Sequence, residues 1–138
     1  MNISLSEAGK YILKLLPEKT EFTGNADGRV EIRKELLSKL GLVGKNCGFI
    51  VVDGEGMKPT IEGECELIID LDDKGLKEGK IYLFSINKRT MVRRVQILLD
   101  RVILIADNPD YPNLEIIGKD LELLEVIGRV RYIGKLLN

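Results

Sequence analysis

One stretch of this chain is built like a reactive or ligand-facing loop. Val51-Val52-Asp53-Gly54-Glu55-Gly56-Met57-Lys58-Pro59-Thr60-Ile61-Glu62-Gly63 lies between two β-rich runs. Gly54 and Gly56 free the backbone for a turn that side chains would obstruct, and Pro59 forbids a regular ladder. Such an elbow presents either a nucleophile or a ligand-facing backbone, yet its centre, Gly56, has no side chain to present. Its amides could cradle an anion, with Arg93 the one nearby cation to propose. Ser85 would be a relocated nucleophile if Lys80 or Lys88 stood beside it, against the default of solvated hairpin lysines. Asp107 with Asp110 could hold a cation, although loops rich in Asn, Asp and Pro are ordinarily turns. Asp70, Asp72 and Asp73 read as a solvated strand end.

Bulk properties narrow the field. The 138 residues suit one domain that buries a single core without metal or disulfide help. Lysine plus arginine number 21 against 22 acidic residues, so no basic excess marks a polyanion-binding face. With no histidine, His-based acid–base catalysis and His-containing metal sites are excluded. Cys47 and Cys65 lack CxxC spacing. Without a signal peptide they read as reduced, buried thiols in a cytoplasm, a disulfide between them being the alternative. Apolar runs reach only about five residues, far short of a membrane span. No cofactor and no metal are expected.

The elements that must hold the elbow follow from periodicity. Asn2 to Leu16 reads as a helix, with Ser4 and Glu7 as a capping box and Leu5, Ala8, Ile12, Leu15 and Leu16 at helical spacing, stopped by Pro17. Its apolar stripe docks on the body of the domain or packs on a partner. Glu18 to Gly28 is a polar turn or linker, so residues 1–28 are expected as helix and linker and 29–138 as the β domain. Val30 to Ile32 alternates like a strand, and Arg33 to Leu40 reads as a two-turn helix ended by Gly41. Phe49 to Val52 enters the elbow and Cys65 to Asp70 leaves it. Lys80 to Ile86 and Thr90 to Leu98 flank Asn87-Lys88-Arg89, a hairpin without the usual glycine. Val102 to Ala106, Leu114 to Ile117 and Leu123 to Ile133 are further strands, with Asp107 to Pro112 a rigid loop. The fold class is mainly β with an N-terminal helix and one short helix, its sheets coiled and partly closed.

At this point the chain resembles a known family. Val52 to Glu64 resembles V-x-G-D-S-M-x-P-T-I-x-D-G-D, and Val92-Arg93-Arg94-Val95 resembles V-K-R-V/L. Ala106 to Pro112 resembles S-D-N-P-x-Y-P, and Val126-Ile127-Gly128-Arg129-Val130 resembles I-I-G-R-V. These ordered pieces, spanning about residues 49–135, are similar to the self-cleaving domain of LexA, phage repressors and UmuD-type polymerase accessory proteins. The resemblance implies a LexA/signal-peptidase-like fold and a Ser-Lys hydrolase that cuts its own upstream linker. That chemistry needs a serine on the elbow and an unprotonated lysine to take its proton. Here the serine position is Gly56 and the lysine position is Arg93, a permanent cation that cannot act as a base. The Ala-Gly or Cys-Gly bond that the family cuts is also missing between Leu16 and Arg33; Cys47-Gly48 has the letters but opens a core strand. The expectation is a pseudoenzyme, with Gly54, Glu55, Gly56, Met57 and Pro59 as the former active-site loop. Arg93 either meets a carboxylate there, with Glu55 and Glu62 as candidates, or faces solvent.

What the resemblance leaves is association. The family implies a homodimer in transcriptional regulation or the DNA-damage (SOS) response, with a recombinase filament or a polymerase as protein partner. The aliphatic closing segment, Leu121 to Leu137, is the candidate dimer surface, through Val126, Ile127, Val130, Tyr132 and Leu136. The alternative is that these residues form the core of a monomer. DNA contact is expected only through a helix-turn-helix not present in this chain, and a cytoplasmic location without membrane contact is expected. The competing readings are a peptidase with a relocated or engineered-out nucleophile and a UmuD-like accessory protein.

Overall fold

Short apolar runs separated by turn residues become antiparallel strands, and the last of them inserts between two earlier ones. A computed structural model describes residues 12–16 and 34–135. In chain order these form β1 (Ile12–Leu16), α1 (Lys34–Leu40), β2 (Cys47–Gly54), β3 (Gly63–Asp70), β4 (Ile81–Ile86), β5 (Arg89–Ile97), β6 (Arg101–Ile105), β7 (Leu114–Ile117), a 3₁₀ helix (Gly118–Leu123) and β8 (Leu124–Lys135). The strands make one eight-stranded sheet in the order β1-β2-β3-β8-β4-β5-β6-β7, antiparallel throughout. The fold is mainly β with a curled, partly closed sheet, as expected.

The first correction concerns the N-terminal helix. Ile12 to Leu16 is a strand, paired with β2 from Ile12↔Val51 to Leu16↔Cys47. Apolar residues at helical spacing also fit a short strand, and the open edge of β2 offers a ladder that a helix could not complete. The rest of that expected helix, the expected strand at Val30 to Ile32 and the linker between lie outside the described residues. The second helix does form. Its C-terminus is a Schellman cap: Gly41 takes φ +70°, its N–H donates to Ser38 O (3.1 Å), and Leu42 N–H donates to Leu37 O (2.9 Å). Leu37 and Leu42 then bury together against Cys47, Phe49 and Ile68.

Two further clusters fill the sheet's concavities. The larger gathers Ile50, Val52, Leu67, Ile69, Leu83 and Ile127, with Met57 and Ile61 of the elbow as its lid. The other packs Tyr82, Phe84, Val95, Leu104 and Ile116. The hairpin between β4 and β5 has a two-residue turn, Asn87 (φ 48°) and Lys88 (φ 66°), both left-handed as a type I′ turn requires. Asn tolerates that region well, so the missing glycine is no obstacle. Cys47 faces Asp70 across the β2–β3 ladder, whereas Cys65 faces Val52. The two thiols are buried and free. Burial pushes the Cys47 thiol up to about 11, so it stays protonated and inert.

β8 ties the sheet together. Its first half pairs with β4 (Ile86↔Leu124 to Tyr82↔Arg129) and its second with β3 (Asp70↔Arg129 to Cys65↔Lys135). Each ladder skips one β8 residue, Ile127 against β4 and Arg131 against β3, and bulges of this kind bend a strand. The crossing point is Gly128. A Cβ there would drive into the Asp70 carbonyl oxygen and come within 2.7 Å of Ile69 Cγ2. Gly128→Ala is therefore expected to cost about 2–3 kcal/mol of unfolding free energy in urea titration. Gly54→Ala, where an added Cβ meets nothing within 4 Å, should stay within about 0.5 kcal/mol of the unaltered chain.

Candidate functional site

The elbow is closed at its base by the last pairs of the β2–β3 ladder, Asp53↔Glu64 and Gly54↔Gly63. Between them the chain folds on itself: Lys58 N–H donates to Glu55 O (3.3 Å) and Ile61 N–H to Met57 O (2.9 Å). Met57 and Ile61 are buried and anchor the loop to the main core. Glu55 and Lys58 form an exposed ion pair at 2.6 Å, which lifts the Lys58 ammonium above its ordinary range.

A second loop, between β6 and β7, fastens the first. Asn108 spends its backbone N–H on Gly56 O (3.0 Å) and its side-chain amide on Glu55 O (2.9 Å). Its own side-chain oxygen accepts from Asp110 N–H (3.0 Å) and its carbonyl from Tyr111 N–H (3.0 Å), so the loop that delivers it is itself a turn. Asp107 accepts from Thr60 Oγ1 (2.5 Å) on the elbow and from both Nε (2.9 Å) and Nη2 (2.7 Å) of Arg94 on β5. The third Arg94 donor, Nη1, reaches Gly79 O (2.7 Å). The bidentate guanidinium holds the Asp107 carboxyl below the usual carboxylate range, against a smaller opposing push from burial and with help from Thr60. Asp107 and Asp110 thus hold a turn and a clamp, and the Asp107 oxygens are already occupied, so the cation reading is not supported.

Beside the clamp, the structure brings Gly56 and Arg93 together. An added Cβ on Gly56 would sit 3.0 Å from both terminal guanidinium nitrogens of Arg93. The guanidinium lies over the elbow's centre, next to a cleft of about 20 Å³, room for one water molecule, walled by Val52, Met57, Ile61 and Val92. Neither expected carboxylate reaches it. Glu55 is held by Lys58, and Arg93 instead donates Nη1 to the neighbouring Val92 carbonyl (2.7 Å), while its buried Nε has no partner among the described residues. Among the described residues Arg93 makes no ion pair, and its half-buried side chain lies across the cleft.

The remaining candidates separate. Ser85 is buried on β4, facing Thr90 and Glu125 across its two ladders, whereas Lys80 and Lys88 are exposed. The acidic strand end is not simply solvated. Asp70 is buried and accepts from Asp72 N–H, Asp72 accepts two bonds from Asn46, and Asp73 faces Arg129 at 3.6 Å. Among the described residues no group of acidic and cysteine side chains could hold a metal ion. On β8, Ile127 belongs to the main core, Val126, Val130 and Tyr132 are partly buried, and Leu136 lies outside the described residues. Arg94, Thr60 and Asn108 were not singled out from sequence. The available signal was the tandem Arg93-Arg94 between two valines, but spacing alone could not say which would find a carboxylate.

The clamp makes a pH-dependent prediction. Asp107 has a lowered pKa in the folded state, so its contribution to stability is complete above the ordinary carboxylate range and is lost as pH falls through the depressed folded value. Asp107→Asn should lose about 1–3 kcal/mol near pH 7. In urea titrations the gap between the two proteins should narrow below about pH 4. A gap that stays constant down to pH 2 would contradict the charged clamp.

Comparison with known proteins agrees with this architecture. Residues 7–131 match the peptidase S24-like family. The chain is also 35% identical over 109 residues to an uncharacterized HTH-type transcriptional regulator of Haemophilus influenzae, an alignment covering 78% of this chain and 46% of that protein. It therefore spans less than half the length of the curated relative it matches. Matched by that family over residues 7–131, nearly its whole length, the chain belongs to the peptidase S24-like family.

Proposed function

We propose that this domain does not cleave itself and serves as the non-catalytic, self-associating part of a transcriptional regulator. The observation that carries the reading is the Arg93 guanidinium seated over the bare Cα of Gly56. The place of a nucleophile holds a hydrogen atom, and the place of its base holds a group that does not give up its proton. The relative's name, an HTH-type transcriptional regulator, supports regulation of transcription over a polymerase accessory role. A DNA-damage signal and a recombinase or polymerase partner rest on the family resemblance alone. A cytoplasmic location is part of the same reading; among the described residues no helix is long and apolar enough to cross a membrane.

Self-association has apolar surface to use. Leu98 and Leu99 stand exposed at the β5–β6 tip, where Leu98 N–H meets Arg101 O, and Arg101 pairs with Ile117 at the end of β7. The 3₁₀ helix that follows adds exposed Leu121 and Leu123 before the chain enters β8. These side chains favour an association surface at the start of the closing segment, with Val126 alongside, because Ile127 is occupied in the core. Clusters of exposed large apolar side chains of this kind mark protein contacts.

Two measurements test the reading. Held for days at about pH 10, where a family lysine would be unprotonated, the purified chain is expected to remain a single band on a denaturing gel. Gly56→Ser should remain intact too, since Arg93 supplies no base; fragments from the unaltered chain would overturn the proposal. By sedimentation at micromolar concentration the chain is expected to be a dimer, and Leu99→Asp should move it toward monomer. A monomer at every concentration would overturn the self-association.

A further inference from the structure

β8 changes partner part-way along, and the change leaves a gap. Beyond Arg129 the strand is paired with β3 on one side, but its ladder with β4 has ended. The chain leading into β4 is committed elsewhere: Val95 N–H donates to Lys80 O (3.0 Å) and Gly79 N–H to Val95 O (2.9 Å), drawing it onto β5. Between Gly79–Ile81 and the second half of β8 lies an open groove of about 300 Å³. Among the described residues, the alternate amides and carbonyls of residues 130–133 that face away from β3 have no strand partner.

The groove's lining has a definite charge. Lys80, Arg94, Arg129 and Arg131 contribute to it, and no acidic side chain does. Arg94 is neutralised from behind by Asp107, and Arg129 lies 3.6 Å from Asp73, yet neither carboxylate lines the groove. Among the described residues Arg131 pairs with no carboxylate and donates to the Leu40 carbonyl (2.8 Å), and Lys80 is exposed. Between these cations the lining is apolar, from Ile81, Val130, Tyr132 and Ile133.

We propose that this groove binds a short extended peptide of alternating acidic and aliphatic residues, added to β8 as a further strand. An unpaired strand edge supplies the main-chain bonds, and side-chain alternation sends one set of residues to the cations and the other to the apolar lining. Residues 130–133 offer a ladder of about 13 Å, at about 3.3 Å per residue, enough for four or five residues of ligand. A second copy of this chain is the poorer occupant, because a two-fold pairing here would bring Arg131 and Lys80 against their own equivalents.

The test uses a fluorescein-labelled peptide of five alternating glutamates and valines, titrated with the full chain and followed by anisotropy. Saturable binding is expected, weakening as salt is raised from about 50 to 500 mM. Lys80→Glu and Arg131→Glu should each weaken it about tenfold or more, and thermal melts should show both variants folded. Lys80 has an exposed side chain and needs no repacking, so that variant decides the matter if Arg131→Glu is unstable. The same peptide with methylated backbone amides should not bind. Four results would overturn the proposal: no saturation by about 1 mM, equal binding of a lysine–valine peptide, tighter binding of a labelled single-stranded oligonucleotide, or a sedimentation shift of the unliganded chain on Lys80→Glu that reveals a second copy in the groove.

Discussion

The close approach of β8 to β3 at Gly128 is the constraint on which the rest of the structure hangs. β2, β3 and the elbow lie on one side of that strand in the sheet order, and β4 to β7 with Arg93, Arg94 and the clamp loop lie on the other. Among the described residues only β8 joins the two sides by strand pairing. Were it pushed out by the width of a methyl group, the ladder to β3 would open. The guanidinium of Arg93 and the amide of Asn108 would then lose their register with Gly56. A glycine in a strand usually weakens it, so its presence at this crossing reflects steric need rather than indifference.

The clamp explains how the elbow keeps its shape without a nucleophile. Asn108 grips the carbonyl oxygens of Glu55 and Gly56, which every residue type possesses, and Asp107 grips Thr60 and Arg94. None of these bonds involves a side chain at position 56. The scaffold is therefore mechanically independent of the chemistry that its relatives are expected to perform, and glycine can stand at the centre while the loop stays closed. Met57 and Ile61 add the apolar anchoring, again without any side chain at position 56.

Much of this was legible in the residues, and the misses share a cause. The strands from Cys47 onward, the Gly41 helix stop and the Asn87–Lys88 turn are local signals, and local signals were read correctly. Ile12 to Leu16 was not, because its apolar spacing fits two periods and the deciding influence, the bare edge of β2, is distant in sequence. Asp70 looked like a surface carboxylate, yet the turn that follows folds its own amide back onto it. The closing segment read either as a dimer surface or as monomer core, and the added detail is that its two halves serve different neighbours, with bulges re-aiming the side chains between them. Which arginine of the tandem pair would find Asp107 was beyond periodicity, since that depends on a loop arriving from β6.

The geometry also says why a single substitution would not create the Ser-Lys chemistry that the family resemblance implies. A hydroxyl on residue 56 would arrive within hydrogen-bonding distance of Arg93, whose terminal nitrogens already sit 3.0 Å from the position of the new Cβ. A guanidinium only donates, so it would engage the oxygen lone pairs that a nucleophile needs and leave the hydroxyl proton with no acceptor. A lysine at 93 without that hydroxyl would have no proton to take. It would also have to meet the desolvation of the apolar cleft with a compact, strongly hydrated ammonium, where the planar guanidinium now uses the Val92 carbonyl. Gly56 suits arginine at 93 better than lysine, and Arg93 suits glycine at 56 better than serine, so the pair is a self-consistent state of the fold.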